Sequence, residues 1–294
     1  MTEPFPEEAR LGASLRDTVL AAETTRASPG GTMSDMTSTD PRSAPQPSDV
    51  SSDGPSAAAA GTRSSGGSDA ETEVLRFAEA VALQDLSTYI RRARRIQEQG
   101  IRLQVVGSVL AAWVPVMTPG SLVGRLPAVL GLRTMALAEP SDADVTAELS
   151  SITERLARLN PAETVLPLPP SRLTVPWAAV TPPRAGWEVQ GELDDDVVRA
   201  AAENGIAEIT ETLPATAGAA VVEQVRERVW GRDLAELAGQ AESCEVPAGA
   251  AFGAHALNFL TAQGAGGRTT LHSRGRWVRL SSAGGFILCR RSGL

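Results

Sequence analysis

Val145, Leu149, Ile152, Leu156 and Leu159 recur at steps of 4, 3, 4 and 3 residues, the period that lines apolar side chains along one helix face. Ser141, with Asp144 three residues on, resembles a capping box at the start of this segment, which is the clearest helical signal in the chain. Further upstream, Val74, Phe77, Ala78, Val81, Leu86, Ile90, Ala93 and Ile96 step by mixed threes and fours. They predict one long helix or two abutting helices ending at Gly100. Arg91, Arg92, Arg94 and Arg95 then fall in the last turns, where cations complement the helix dipole.

Between these helices, Leu103 to Gly124 forms 22 consecutive uncharged residues, long enough to span a bilayer. Gly107, Pro115, Pro119 and Gly120 break the run, and 117–121 reads as a turn, so two buried strands are expected and a membrane partner is not. Leu126 to Ala138 reads as a further strand. Seven prolines between Pro161 and Pro183 then interrupt regular structure. With Trp177 and Trp187 beside them, they suggest a strap lying on the surface rather than a free linker.

Beyond the prolines, Trp187 to Leu193 reads as a strand, and Asp194, Asp195 and Asp196 open a helix running to about Thr212. Helices are expected over Ala219–Trp230 and Ala250–Thr261. A closing hairpin follows, with strands over about Thr270–Ser281 and Phe286–Arg291. From about residue 25 to 69 the chain is almost wholly Ser, Thr, Pro, Gly, Ala and Asp, too polar to offset its ordering entropy. The expected architecture is therefore mixed α/β (α+β), with helices packed on small sheets, a C-terminal β-hairpin and a long disordered N-terminal tail. Its divisions are a tail over 1–68, a helix–strands–helix unit over 69–160, a Pro-rich strap or linker over 161–186, and a strand–helices–hairpin unit over 187–294. Arg10–Ala22 carries a short amphipathic pattern, and initiation at Met33 or Met36 instead of Met1 would remove it.

Composition narrows the chemistry. All 27 cationic side chains are arginine, so mechanisms that need a lysine, among them Walker A phosphate loops, Schiff bases and protein kinases, are closed to this chain. Codon bias in a GC-rich genome accounts for the substitution of arginine for lysine. The remaining inventory is thin: His255, His272, Cys244, Cys289 and a single tyrosine, Tyr89. The two cysteines form neither a disulfide framework nor a C-x-x-C half-site. Glu3, Glu7 and Glu8 stand where a secretory leader would carry positive charge, and a cytoplasmic location is expected. No cofactor is implied.

Several constellations have plainer explanations. Consecutive aspartates at a helix start serve capping and dipole complementarity more often than metal binding, and the same holds for Asp142 and Asp144. Gly264, Gly266 and Gly267 ahead of Arg268 follow a predicted helix and open a strand, the reverse of a phosphate loop. Ala250–Thr261 as the recognition helix of a winged helix lacks any arginine, which argues against sequence-specific DNA reading. Cys289 lies in an apolar strand, where a core role is usual.

Charge is distributed unevenly. The formal net charge is −8, yet Val246–Leu294 holds six arginines and no carboxylate, leaving about −14 on the remainder. Five of the six, Arg274, Arg276, Arg279, Arg290 and Arg291, fall in the predicted hairpin with Trp277. Alternation sets Trp277, Arg279, Phe286, Leu288 and Arg290 on one face. Base stacking with phosphate contact would need such a set. So would a half-buried strand with arginine stems laid over tryptophan.

The stretches Pro182–Trp187, Val229–Arg232 and Gly275–Leu280 resemble those of an uncharacterised protein family of high-GC Gram-positive bacteria, a resemblance that implies a bacterial cytoplasmic origin and no activity. The sequence points to a non-enzymatic cytoplasmic protein that binds a protein partner or itself through the arginine-rich hairpin. The alternatives are a nucleic-acid accessory protein held by backbone charge and a Cys- or Arg-dependent small-molecule enzyme.

Overall fold

The segment expected to be helical from Val74 divides in two. Val74–Arg76 forms strand β1 and Ala80–Ala93 forms helix α1. This computed structural model describes residues 73–119, 126–214, 216–240 and 245–290, so the tail over 1–68, the stretch Arg10–Ala22, Cys244 and Arg291 lie outside it. Strand wins over helix at 74–76 because the segment pairs antiparallel with β6 (Val165–Pro167), which buries Leu75 completely. A short helix extension could not match that cross-strand burial. Helix α1 turns Leu83, Leu86, Tyr89, Ile90 and Ala93 inward and carries Arg91 and Arg92 in its last turn.

The long uncharged run is a pair of strands, β2 (Ile101–Val106) and β3 (Val109–Met117). Between them Gly107 takes a φ of 61°, the left-handed value that a two-residue II′ hairpin loop requires at its first central position. Strand β4 (Ala128–Ala136) follows. The next departure is at the capping box: Asp144–Ala147 is strand β5, and helix α2 occupies only Leu149–Ala157. Val145 fits the helical period with Leu149, but Val145 and Ala147 also fit a two-residue period. Pairing with β2 buries both.

The second half runs β7 (Glu188–Asp194), α3 (Asp195–Thr212), α4 (Ala219–Trp230), the short α5 (Leu234–Leu237), α6 (Ala248–Ala256), β8 (Arg268–Arg274), β9 (Trp277–Ser282) and β10 (Gly285–Arg290). The strand expected over Thr270–Ser281 is thus two strands. Gly275, at φ 56°, reverses the chain so that Arg274 faces Trp277 in register. An Arg-Gly-Arg run inside a strand pattern was the overlooked turn signal.

Eight strands form one antiparallel sheet in the order β5-β2-β3-β4-β10-β9-β8-β7. In each half a helix leads into a three-strand meander, and the last strand of one meander pairs with the last strand of the other. The seam between β4 and β10 joins them through Phe286↔Leu132, Ile287↔Gly131 and Leu288↔Leu130. Helices α1 and α6 cover one face of the sheet at this seam.

Close approach there needs small residues. In α6, a Cβ at Gly253 would stand 3.1 Å from Ile287 Cδ1, and one at Gly249 would stand 2.9 Å from Met117 Sδ. The sequence that lacked arginine for a recognition helix is a buried helix pressed on the sheet.

The aspartate run splits its labour. Asp194 accepts a bond from the Asp196 backbone N–H as an N-cap, and Asp196 accepts one from the Gly264 N–H. Asp195, 1% exposed, accepts bonds from the Thr261 N–H, the Thr261 hydroxyl and the Thr269 hydroxyl. The glycine-rich loop is therefore tied to carboxylates, which closes it as a phosphate cradle. Among the described residues no group of three or more His, Cys, Asp or Glu is placed to hold a metal ion, and no helix is long and apolar enough to cross a membrane.

At the seam, a Cβ on Gly131 would lie 2.3 Å from Leu257 Cδ1, 3.2 Å from the Tyr89 hydroxyl and 3.3 Å from Val114 Cγ2. Gly131→Val is expected to cost about 1–3 kcal/mol through overpacking, read as a lower urea midpoint at unchanged m-value. A midpoint equal to that of the parent would show that this seam is not tightly packed.

Candidate functional site

The face of the sheet away from α1 and α6 is covered only in part, and what it displays follows from strand alternation. Register places Arg102, Trp113, Leu132, Phe286 and Ser281 side by side across five strands. A neighbouring row places Leu130, Leu288, Arg279 and His272 together. The apolar members Ala111, Leu132, Phe286 and Leu288 form a satellite cluster against which Trp113, Trp187 and Trp277 pack.

The Pro-rich segment lies over part of this face. It is pinned along one side by the Leu173 N–H donating to the Thr146 carbonyl (2.7 Å), by Trp177 Nε1 donating to the Gln99 carbonyl (3.1 Å) and by Arg102 Nη1 donating to the Ala178 carbonyl (3.0 Å). Trp177 is buried, and Trp187 Nε1 donates to the Pro183 carbonyl at 3.0 Å, bracing the end of the strap on itself.

Between strap and sheet lies a groove of about 560 Å³, part of it open to solvent. Its floor is Gln104, Ala111, Trp113, Leu132 and Thr134 from the first meander, with Arg279, Phe286 and Leu288 from the second. Its wall is Thr181, Pro182, Pro183, Arg184 and Trp187. The groove therefore straddles the β4–β10 seam, and neither half of the chain builds it alone.

Arg279 is the buried cation of this site, 6% exposed, with its guanidinium 4.9 Å from the centre of the Trp187 ring and 5.7 Å from that of Phe286. Such contacts contribute on the order of 0.5–2 kcal/mol, the larger values where water is excluded. At the rim, Arg102 grips Asp144 with two bonds of 2.7 and 2.6 Å, and Gln104 adds a third at 3.0 Å. The Arg102 hydrogen bonds chiefly hold the Asp144 carboxyl below its usual range, and Arg184 is near enough to assist. Arg102, Arg184 and Arg279 together outweigh Asp144, and none of the residues lining the groove is acidic. Trp113 Nε1 is buried without a hydrogen-bond partner.

The six residues expected to bind from sequence separate. Arg279 enters the groove. Trp277 packs on the apolar cluster and stands in register between Arg274 and Arg290, both exposed. Arg276 sits in the β8–β9 turn, and Arg291 lies outside the described residues. Alternation placed Trp277, Arg279, Phe286, Leu288 and Arg290 on one face, and the register does the same. The rings that Arg279 covers are those of Trp187 and Phe286. Sequence reasoning missed Trp113, Gln104, Thr134 and Arg184 as site residues. The dense Pro182–Trp187 stretch, with two prolines, an arginine and a tryptophan in six positions, was the available signal. Cys289 faces the other way, into the core.

The family described as Domain of unknown function (DUF8010) matches residues 70–179, and that described as Domain of unknown function (DUF8185) matches residues 182–294. The boundary between the two falls inside the strap, so the groove draws on both matched regions. No curated protein matches the chain. Among solved structures it is similar to the beta sliding clamp of Caulobacter crescentus, with 13% identity, a TM-score of 0.41, and 75% of this chain and 65% of that one covered. A DNA polymerase III beta subunit from Eubacterium rectale matches at 5% identity and a TM-score of 0.45, with 75% of this chain and 65% of that one covered. The DNA polymerase III subunit beta of Pseudomonas aeruginosa matches at 12% identity and a TM-score of 0.41, with 76% of this chain and 66% of that one covered. The chain spans about two thirds of the length of these proteins. Likeness at this level assigns neither a site nor an activity.

His272, beside Arg279 in the sheet, has its pKa lowered from 6.5 by burial first and by the Arg279 charge second, with backbone hydrogen bonds to Thr270 and Arg279 pulling the other way. The unfolded chain thus takes up the proton first. The resulting stability is present above about pH 6.5, falls as pH drops through the folded pKa, and levels off below it. His272→Gln is expected to flatten the urea midpoint between about pH 7.5 and 5.5 relative to the parent protein. An equal slope in both proteins would place the acid sensitivity elsewhere.

Proposed function

We propose that this chain is a binding protein whose functional surface is the open face of the eight-stranded sheet, with the groove beneath the strap as its seat. The observation that carries the proposal is convergence. Two stretches of sequence that separate families match meet at one seam, and there they place a buried guanidinium, two groove-lining tryptophans and one further cation, Arg184. Strand β9 of the arginine-rich C-terminal segment supplies the central cation, and the binding needs no catalytic group. A cytoplasmic setting accords with the reduced inventory of two cysteines.

The five tryptophans make the groove observable. In a fragment screen read by indole N–H resonances, compounds that bind are expected to move the signals of Trp113 and Trp187 and to leave Trp230, which is buried among the helices, in place. Hits that move Trp230 alone, or a screen without hits, would remove the groove as the seat of binding.

A second reading has its own observation. Arg274, Trp277 and Arg290 form a row at one end of the same face, a half-buried ring between two exposed cations that suits a nucleic-acid backbone. Two phosphate contacts by these arginines would give single-stranded DNA binding a log–log salt slope of about −1.4. Fluorescence titrations of single- and double-stranded DNA at two salt concentrations measure it, and binding that is absent or indifferent to salt would sink the nucleic-acid reading.

A further inference from the structure

We infer that the C-terminal end of α1, with the turn that continues it, is a contact surface for the phosphate backbone of duplex nucleic acid, made by Arg91, Arg92 and Arg95. This surface belongs to the helical side of the sheet, away from the groove and from the row of Arg274, Trp277 and Arg290, and it rests on neither.

The first observation is that these cations are accessible and lack ion pairs. Arg91 and Arg95 are exposed and Arg92 is half-buried. The nearby carboxylates are engaged elsewhere, Glu98 by Arg94 at 3.1 Å and Asp85 by Arg133 at 2.7 Å. Arg91 donates to the Thr88 hydroxyl at 3.3 Å and Arg92 to the Leu257 carbonyl at 3.4 Å, both neutral acceptors that leave the charges unanswered.

Folding does not account for the whole set. A helix C-terminus favours cations, yet Arg91 and Arg95 fall four residues apart, where like charges repel. Arg92 registers the crowding. Its pKa is lowered by burial first and by the Arg133 charge second, with Arg91 and Arg95 adding to the effect and Asp85 opposing it. A polyanion laid across the three guanidiniums would relieve their repulsion.

Spacing selects the partner. From Arg91 to Arg95 the chain advances about 6 Å along the helix axis and carries these three cations on its accessible side. Duplex nucleic acid presents one charge per about 1.7 Å of its axis, or about three to four over that length. An extended acidic peptide, at about 3.3 Å per residue, presents about two. Guanidinium forks also match phosphate oxygens in pairs, and contacts of this kind position a duplex without reading its sequence.

The test titrates the full chain into a fluorescein-labelled duplex of about 20 base pairs, read by anisotropy at about 50 and 200 mM salt. Three phosphate contacts are expected to give a log–log slope of about −2.7, an affinity loss of about fortyfold over that range. Arg91→Gln together with Arg95→Gln should bring the slope toward about −0.9. Arg91→Lys together with Arg95→Lys keeps the charge and should hold the slope of the parent. Arg274→Gln together with Arg290→Gln should leave the duplex slope where it is.

Duplex binding that is absent or indifferent to salt would end the proposal. A slope kept by the α1 glutamine pair and lost by the hairpin pair would overturn this surface and move the contact to the row on the other face. Loss of the slope in the lysine pair would show that charge is not what α1 contributes. Displacement of the duplex by a hexaglutamate peptide at equal concentration of charge would make the surface one for acidic protein segments and overturn the nucleic-acid partner. The indole signals of Trp113 and Trp187 decide the groove separately from all of these outcomes.

Discussion

The pairing of β4 with β10 is the interaction on which the rest of the molecule depends. Each half of the chain makes a meander with a helix on one side, and each meander alone would present a long strand edge with unpaired N–H and C=O groups. Joining last strand to last strand removes both edges at once and turns two small sheets into one of eight strands. Gly131 is the local requirement. It sits between Val114 and Ile287 in register, beneath Leu257 and beside the Tyr89 hydroxyl, where a side chain has no room. The same seam that closes the sheet brings Leu132 of one half against Phe286 of the other and so creates the floor of the groove.

Charge follows the two faces of this sheet. On the helical side, Arg133 reaches Asp85 of α1 at 2.7 Å, and Asp195 is closed off by three donors. These groups consume one another and serve the fold. Among the described residues, Asp194–Asp196 open helix α3, where the macrodipole favours them, and Glu208 is answered by Arg232. The arginines of the C-terminal strands are directed by alternation to the opposite face. Part of the cationic C-terminal segment is thereby gathered on one face of the sheet.

How much of this was legible depended on the range of the interaction. Helices α3 and α4 and strands β2 and β4 were marked by local periods and caps. So was the facing of Trp277, Arg279, Phe286 and Leu288, because alternation is a local property. Val74–Arg76 and Asp144–Ala147 were misread because their apolar spacing satisfies both periods, and only partners distant in the chain, β6 and β2, decide between them. Arg274-Gly275-Arg276 was misread for a different reason: a turn signal of one glycine was outweighed by the strand pattern on either side. The groove was the least legible feature. Its residues come from positions 104 to 288, brought together by a strand pairing that no local pattern announces.

Arg279 shows why the site and the seam belong to one argument. Its guanidinium, 6% exposed, stands 4.9 Å from the centre of the Trp187 ring at the end of the strap and 5.7 Å from that of Phe286 in β10. Contacts of this kind contribute on the order of 0.5–2 kcal/mol, the larger values where water is excluded. One side chain of β9 thus ties the wall of the groove to its floor, and the β4–β10 pairing that sets Phe286 beside Leu132 supplies that floor.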